Sequence, residues 1–234
     1  MNSEGVVKAD IKPVEAFQRG LELIRPEYWL HVGIAAVAVI LAGLAPFAVL
    51  AGPMFCGLYY CYFKVMDGQK VEFADLFRGF DFFVPSLIVS LIVLVASIVV
   101  FVPIYVLAFL LAMAGGQEPN IILLLLILFG YMVGAILVGL IQMACMFSYP
   151  LIVEHKMEAI PALKMSIAGF KANALPLVLF SLLVAVVAIL AAMLCILPAF
   201  LVYPVAFAAI ALIYRDIFPK QGGQGELAQK EPIL

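Results

Sequence analysis

Long stretches without charge dominate the hydrophobic pattern of this chain. Residues 82–117, 119–153 and 172–214 contain no Asp, Glu, Lys or Arg. A helix rises about 1.5 Å per residue, so about 20 apolar residues cross the roughly 30 Å hydrocarbon core of a bilayer. The last stretch can therefore hold two crossings, with Pro198 at the turn between them. The pattern predicts six membrane-spanning helices: Trp29–Ala45, Phe47–Met66, Phe83–Met113, Ile121–Pro150, Ala174–Leu197 and Ala199–Tyr214.

The sequence does not settle the course of the chain in two regions. The turn between the first two spans falls within Gly43–Pro53, where several prolines and glycines each offer a break. The third and fourth spans are longer than a bilayer requires. They must therefore tilt, protrude or kink near Pro103.

Basic residues fall on one side of this six-span map. All 13 Lys and Arg residues lie before the first span, at the end of the second or between the second and third, between the fourth and fifth, or after the sixth. The loops on the opposite side contain no basic residue and one acidic residue, Glu118. Because basic loops mark the cytoplasmic side, the distribution predicts that both termini are cytoplasmic. An odd number of spans would break this pattern.

The three segments that precede the odd-numbered spans share a pattern around a glycine. In the first two, apolar residues recur on one helical face, an arginine precedes the glycine, and a proline follows six residues after it. The third segment matches less well, because Ser166 and Asn173 replace apolar residues and its proline is one residue late. The glycine and proline pairs are Gly20 and Pro26, Gly79 and Pro85, and Gly169 and Pro176.

Each of these segments is predicted to form a short amphipathic helix in the membrane interface, with its apolar stripe toward the acyl chains. The proline would then open the next span in its first turn, where a missing N–H is tolerated. The chain is thus predicted to contain three parallel units, each an interfacial helix followed by a hairpin of two spans. For the third segment, the alternative of an ordinary amphipathic loop stays open.

Composition places the chain far from soluble proteins. Hydrophobic residues make up 67% of the 234 residues, charged residues 12%, and the mean hydropathy is +1.21. Soluble domains are about half apolar and about a quarter charged. We therefore expect an all-α polytopic membrane helix bundle, with a cytoplasmic N-terminal segment at residues 1–28. The membrane domain is expected at residues 29–216, and a disordered cytoplasmic tail at residues 217–234.

Polar groups inside the predicted spans are few. No span interior carries Asp, Glu, Lys or Arg, which argues against ion-coupled transport because a coupling ion must be bound within the membrane. The Gln142 amide must bond across helices or reach a cavity, and the interhelical bond is favoured. Gly130 and Gly134 form a GxxxG motif, which predicts close helix packing, within the protein in preference to between subunits.

The remaining candidate groups favour packing over chemistry. His31 and His155 lie near span ends without a ligand set for a metal. Trp29 and the aromatic cluster at residues 59–63 fit an interfacial belt. No catalytic residue, metal, cofactor or nucleic-acid site is predicted. Four cysteines lie in apolar stretches without a CxxC motif, as is typical of buried thiols. They are Cys56, Cys61, Cys145 and Cys195.

A recurring local pattern links the chain to a known group. The segment Ala51–Gly57, AGPMFCG, is followed by Asp67 and Gly68 and then by the run Leu76–Phe80, LFRGF. This arrangement resembles a broad group of uncharacterised bacterial six-span membrane proteins, related to the membrane domain of some glycerophosphodiester phosphodiesterases. The resemblance covers most of the chain and implies a multi-pass protein of the bacterial inner membrane. It implies no catalytic residue, because the phosphodiesterase chemistry belongs to a separate soluble domain.

Three functional classes stay open. A non-enzymatic membrane module for envelope homeostasis or partner assembly is favoured, because no catalytic set or buried charge is visible. A passive channel or carrier for apolar or amphiphilic molecules or lipids is the alternative, and it predicts a cavity that reaches Gln142. A lipid-modifying enzyme would need acidic groups gathered at the cytoplasmic interface. The expected partners are the lipid bilayer and, for the first class, a membrane protein or a second copy of the chain.

Overall fold

The structure, a computed structural model, describes residues 6–44, 49–114, 121–194 and 196–219. These residues form helices joined by short turns, without a strand among them, so the all-α class is confirmed over this part of the chain. Two 3-10 segments, Arg25–Glu27 and Phe73–Phe82, interrupt the series. The α-helices are α1 (Pro13–Ile24), α2 (Tyr28–Leu44), α3 (Ala51–Met66), α4 (Phe83–Ala114), α5 (Ile121–Cys145), α6 (Ser148–His155), α7 (Ala159–Ala172), α8 (Ala174–Leu194) and α9 (Ile196–Ile217).

Five helical stretches in the described residues are long and apolar enough to cross a membrane. They are Pro13–Leu44, Phe73–Leu111, Leu124–His155, Ala174–Ala191 and Phe200–Ile217. The helix in the place of the second predicted span, α3, has 16 residues. Its length of about 24 Å, at 1.5 Å per residue, is shorter than the hydrocarbon core of a bilayer.

Helix α3 lies at the centre of the bundle, packed against α2, α4, α6, α9 and the 3-10 segment Phe73–Phe82. Ten of its 16 residues are buried. Small residues allow this crowding, because a Cβ on Gly52 would lie 2.5 Å from the carbonyl oxygen of Ser86 on α4. A short helix with this many neighbours is buried by protein on most sides.

Helices α4, α5 and α8 expose apolar side chains along most of their length. Val99, Leu128 and Leu182 are each more than half exposed. Soluble monomers rarely expose contiguous apolar surfaces of this extent. The exposure is what lipid-facing helices require, because their backbone hydrogen bonds are all made within the helix and their side chains meet acyl chains.

The fourth predicted span, Ile121–Pro150, is broken in the structure. Helix α5 ends at Cys145, the chain turns at Met146 and Phe147, and α6 begins at Ser148. Pro150 accounts for the break, because its ring clashes with the carbonyl of residue i−4, Met146, and it lacks an N–H. The Ser166 hydroxyl on α7 donates to the Ala144 carbonyl at 2.7 Å and accepts from the Phe147 N–H at 3.1 Å.

The predicted amphipathic helices differ from expectation in two ways. The second is a 3-10 segment, Phe73–Phe82, and its Phe77 is exposed whereas Leu76 and Gly79 are buried. This segment therefore has a face that packs on the bundle and a face that points outward. Pro26 lies in the 3-10 link Arg25–Glu27 and not in the first turn of a span, unlike Pro85 in α4 and Pro176 in α8.

The aromatic cluster of α3 is not an exposed belt. Tyr59, Tyr62 and Phe63 are buried, because α3 is the central helix. The Tyr62 hydroxyl donates to the Pro204 carbonyl on α9 at 3.0 Å. His31 also lies inside the bundle, with its ring stacked on Tyr62 at a centroid distance of 5.7 Å. Trp29 is exposed as expected.

Candidate ligand-binding cavity

A cavity of about 650 Å³ lies among the helices of the bundle. Its walls come from α3, α4, α5, α6 and α9. Phe55 and Tyr59 project from the central helix, and Phe207 and Ile210 face them from α9. The volume lies within the range of about 300–1,000 Å³ that is typical of small-molecule sites.

Hydroxyl groups in the cavity wall are partly committed to other partners. The Ser90 hydroxyl on α4 pairs with the Tyr149 hydroxyl on α6 at 3.1 Å. The Ser97 hydroxyl donates to the carbonyl of Val93, one turn earlier in its own helix, at 2.8 Å. These bonds satisfy polar groups that an apolar interior would otherwise penalise. They also join α4 to α6 beside the cavity.

Gln142 lines the cavity and is exposed at the same time. Within the described residues it makes no hydrogen bond, so the structure places it at a cavity and not in an interhelical bond. Gln142 is the exposed member of the described cavity wall, whose other residues are buried or half-buried. Gln142 lies three residues before the end of α5, and the neighbouring Leu140 is exposed too.

No Asp, Glu, Lys, Arg or His belongs to the cavity wall formed by the described residues. Over the same part of the chain, no group of three or more His, Cys, Asp or Glu residues has the geometry to hold a metal ion. The arrangement can surround an apolar body and offer an amide and hydroxyl groups.

An ionic cluster lies beyond the cavity, toward the ends of α3, α6 and α9. Arg215 on α9 contacts Asp67 at 2.8 Å and Glu154 of α6 at 3.0 Å. Its guanidinium carbon also lies 5.1 Å from the centroid of the Phe63 ring of α3. One arginine therefore ties together the ends of three helices. The Arg215 and Glu154 side chains are largely buried, at 17% and 9% exposed, whereas the Asp67 side chain is 37% exposed.

The GxxxG glycines lie between α4 and α5. A Cβ on Gly134 would lie 2.8 Å from Cδ1 of Ile104 and 3.1 Å from the ring of Phe101. A Cβ on Gly130 would meet Ile104 at 3.5 Å, an ordinary contact. The motif therefore faces another helix of the same chain, the arrangement that the sequence favoured over a subunit contact.

The glycines of the predicted repeat lie at helix crossings. Gly20 on α1 approaches the backbone of α9, because a Cβ would lie 2.8 Å from the Ala209 nitrogen. Gly79 approaches Gly57 on α3 in the same manner. Gly169 on α7 instead faces a side chain, with its would-be Cβ 2.5 Å from the ring of Phe218.

Ser166 in α7 and Asn173 at its C-terminal end have structural roles. In the sequence they stood out only as polar residues at positions where the other two segments carry apolar ones. Asn173 is 1% exposed. Its Oδ1 accepts the Ala9 N–H at 2.9 Å, and its Nδ2 donates to the Val7 carbonyl at 3.1 Å. Ser166 bridges the break between α5 and α6. The sequence showed that polar residues replace apolar ones at these two positions, but it did not show which groups they bond to.

Of the four cysteines, Cys56, Cys61 and Cys145 are free and buried, in keeping with packing roles. Cys195 lies outside the described residues, as do parts of the first interhelical turn and most of the C-terminal tail. Helix α9 continues to Ile217, and Phe218 is buried beneath α7.

No model of a known protein family, no curated protein and no solved structure matches this chain. The class of protein therefore rests on the fold. Over the described residues it is an all-α protein with five helical stretches that are long and apolar enough to cross a membrane.

Proposed function

We propose that this chain is a non-enzymatic membrane protein that binds an apolar or amphiphilic small molecule or lipid in the cavity between its hairpins, as a passive carrier or channel. The observation that carries the proposal is the cavity of about 650 Å³ that reaches Gln142. Most of its wall is apolar or aromatic, with a few polar groups, which is the usual composition of small-molecule sites.

The proposal includes six spans in a bacterial inner membrane with both termini in the cytoplasm. Helix α3 would complete the six as the second span along the chain. It can be short because protein, and not lipid, surrounds most of it. The grouping of all 13 basic residues on one side of a six-span map supports this orientation.

A threefold repeat is also part of the proposal, and a cyclic order of contacts supports it. The amphipathic segment of each unit packs on the closing helix of the unit before it: Phe73–Phe82 on α3, α7 on α5 and α6, and α1 on α9. Ion pairs join two of these crossings, Lys64 to Asp75 at 2.7 Å and Arg19 to Asp216 at 2.9 Å. Helix α1 would thus close a ring of three units.

A membrane module that assembles with a partner is the second candidate. The hairpin of α4 and α5 favours it, because both helices expose large apolar side chains such as Val102 and Phe129. A partner helix or a second copy of the chain would cover this surface and displace lipid from it. This function needs no ligand in the cavity.

Filling the cavity separates the two candidates. A Cβ on Gly139, which lines the cavity, would meet no atom within 4 Å, so Gly139→Phe places a ring in the space without a backbone clash. Gly43→Phe is the matched control, since a Cβ on Gly43 also meets nothing within 4 Å and Gly43 lies outside the cavity wall. The measurement is native mass spectrometry of the purified protein with its bound lipids.

We expect the unmodified protein and Gly43→Phe to retain a small amphiphile that Gly139→Phe loses. Proteoliposomes loaded with that amphiphile should then release it through the first two proteins and not through the third. Equal retention by all three proteins would contradict binding in the cavity. It would leave partner assembly as the better proposal.

A further inference from the structure

We infer that the cavity selects a small uncharged amphiphile, anchored through the Gln142 amide, which enters sideways from the membrane. This inference rests on the proposed function and adds the class of ligand, the anchoring residue and the route. Three observations carry it: the absence of charge from the described cavity wall, the unused hydrogen-bonding capacity of Gln142, and the exposure of Gln142 on a helix with apolar surface side chains.

The charge of the ligand follows from the wall. Among the described residues that form it, none carries a formal charge, and aromatic and aliphatic side chains predominate. An ionised group transferred into such surroundings without a counter-charge has a high desolvation cost. Arg215 in the ionic cluster is already paired with Asp67 and Glu154, so its cation is not available to an anionic ligand. An uncharged hydroxyl or carbonyl compound is therefore preferred.

The anchor follows from the hydrogen-bond inventory of the wall. Ser97 already donates to its own helix, and Ser90 is paired with Tyr149. Gln142 makes no bond to the described residues, although its amide offers two N–H donors and a carbonyl acceptor. A ligand hydroxyl or carbonyl can bond to this amide while its apolar part lies against Phe55 and Phe207.

The route follows from what closes the cavity. Beyond Tyr59 and Ile210, toward the ionic cluster, the next turns of α3 and α9 carry Phe63 and Tyr214, which are buried and lie 5.5 Å apart between ring centroids. Arg215 covers Phe63. Two buried rings therefore lie between the cavity and the ionic cluster. Gln142, the exposed residue of the described wall, lies on a helix that exposes apolar side chains, so an entrance beside it would admit a molecule dissolved in the bilayer directly.

The test uses two photoreactive probes and the full-length protein in lipid nanodiscs. Both probes carry the same alkyl diazirine chain, one with a primary alcohol head and one with a trimethylammonium head. Cross-linked peptides are quantified by mass spectrometry for the unmodified protein, Gln142→Leu, Gly139→Phe and Gly43→Phe. Labelling of the exposed faces of α4 and α8 reports the concentration of each probe in the bilayer.

We expect the alcohol probe to label peptides that contain Gly139–Met146 and Phe207–Ile210, with competition by excess unlabelled alkyl alcohol. Gln142→Leu should reduce this labelling about fivefold, the effect of one lost hydrogen bond. Gly139→Phe should abolish it, and Gly43→Phe should leave it unchanged. Labelling of the exposed helix faces should be the same in all four proteins.

Different failures have different meanings. Equal labelling of the cavity by the two probes, or full labelling of Gln142→Leu, would overturn the selection of an uncharged ligand through Gln142 and leave the proposed carrier function standing. Cavity labelling by neither probe, with normal labelling of the exposed faces, would overturn both proposals. Loss of labelling in Gly43→Phe as well would assign the effect to misfolding and overturn the assignment to the cavity.

Discussion

Gly57 on α3 and Gly79 on the 3-10 segment Phe73–Phe82 touch backbone to backbone. A Cβ on either residue would overlap main-chain atoms of the other element, Leu76 and Gly79 on one side and Pro53 and Gly57 on the other. The amphipathic segment therefore lies directly on the central helix. Backbone contact of this kind is available only to glycine, and it is a common device for close helix packing in membranes.

Alanine at Gly57 or Gly79 should destabilise the bundle, because the clash is with backbone that cannot rotate away. We expect a loss of about 2 kcal/mol for each substitution, or a decrease in Tm of about 6 °C in detergent. Gly139→Ala is the control, since its Cβ meets open space and alanine favours the helix by up to about 1 kcal/mol. Equal Tm values for Gly79→Ala and Gly139→Ala would contradict the contact.

Removal of the Arg215 guanidinium should be costly, because it takes the positive charge away from two carboxylates, one of them buried. We expect Arg215→Met to lose about 3 kcal/mol of stability, measured by thermal unfolding in detergent. The stability of Arg215→Lys should fall between those of the unmodified protein and Arg215→Met, since a single ammonium bridges two carboxylates less well than the planar guanidinium.

The exposed ion pair of Arg19 and Asp216 provides the comparison. Its side chains are 45% and 39% exposed, so Arg19→Met should cost about 0–1 kcal/mol. A loss for Arg215→Met no greater than that for Arg19→Met would show that the three-helix cluster contributes nothing beyond a surface contact.

Asn173 should hold the N-terminal segment against the bundle. In Asn173→Ala, hydrogen exchange at residues 7–11 should accelerate about tenfold or more, because the side chain's bonds to Ala9 and Val7 are lost. Asn173→Asp keeps the acceptor for the Ala9 N–H and loses the donor to Val7, so its exchange should be intermediate. Unchanged exchange in both variants would mean that other contacts secure the segment.

The GxxxG motif allows internal packing to be distinguished from subunit packing. Gly134→Val should lower Tm by about 3–9 °C, because its side chain meets Ile104 and Phe101. Gly130→Ala should be tolerated, since its Cβ makes an ordinary contact. Dissociation of an oligomer by Gly134→Val at unchanged Tm, measured by light scattering, would instead assign the motif to a subunit interface.

Topology reporters test together whether α3 crosses the membrane and whether the termini face the cytoplasm. Cysteine introduced by Gln69→Cys and Glu158→Cys should react with an impermeant maleimide only after the inner membrane is opened. A reporter inserted at residue 117 should be on the outer side. Reaction of Gln69→Cys in intact spheroplasts, with Glu158→Cys protected, would mean that α3 does not return across the membrane.

Much of the helical plan was predictable from local sequence, because the hydrocarbon core rejects charge wherever it occurs. Uncharged stretches place α4, α8 and most of α9 within a few residues of their observed bounds. The break before α6 was harder to predict, since Pro150 looked compatible with a span end. The burial of Tyr62 could not be read from hydropathy, because the same aromatic residue suits a membrane interface or a crowded helix crossing.

Hydropathy and the placement of charge, both properties of neighbouring residues, were enough to define an all-helical chain suited to a bilayer. The cavity depends instead on how α3, α4, α5, α6 and α9 come together. Arg215 meets Asp67 across 148 positions of sequence, and Asn173 meets Val7 across 166. Contacts over such separations depend on the packing of whole helices, so only the three-dimensional arrangement decided that Gln142 faces a cavity.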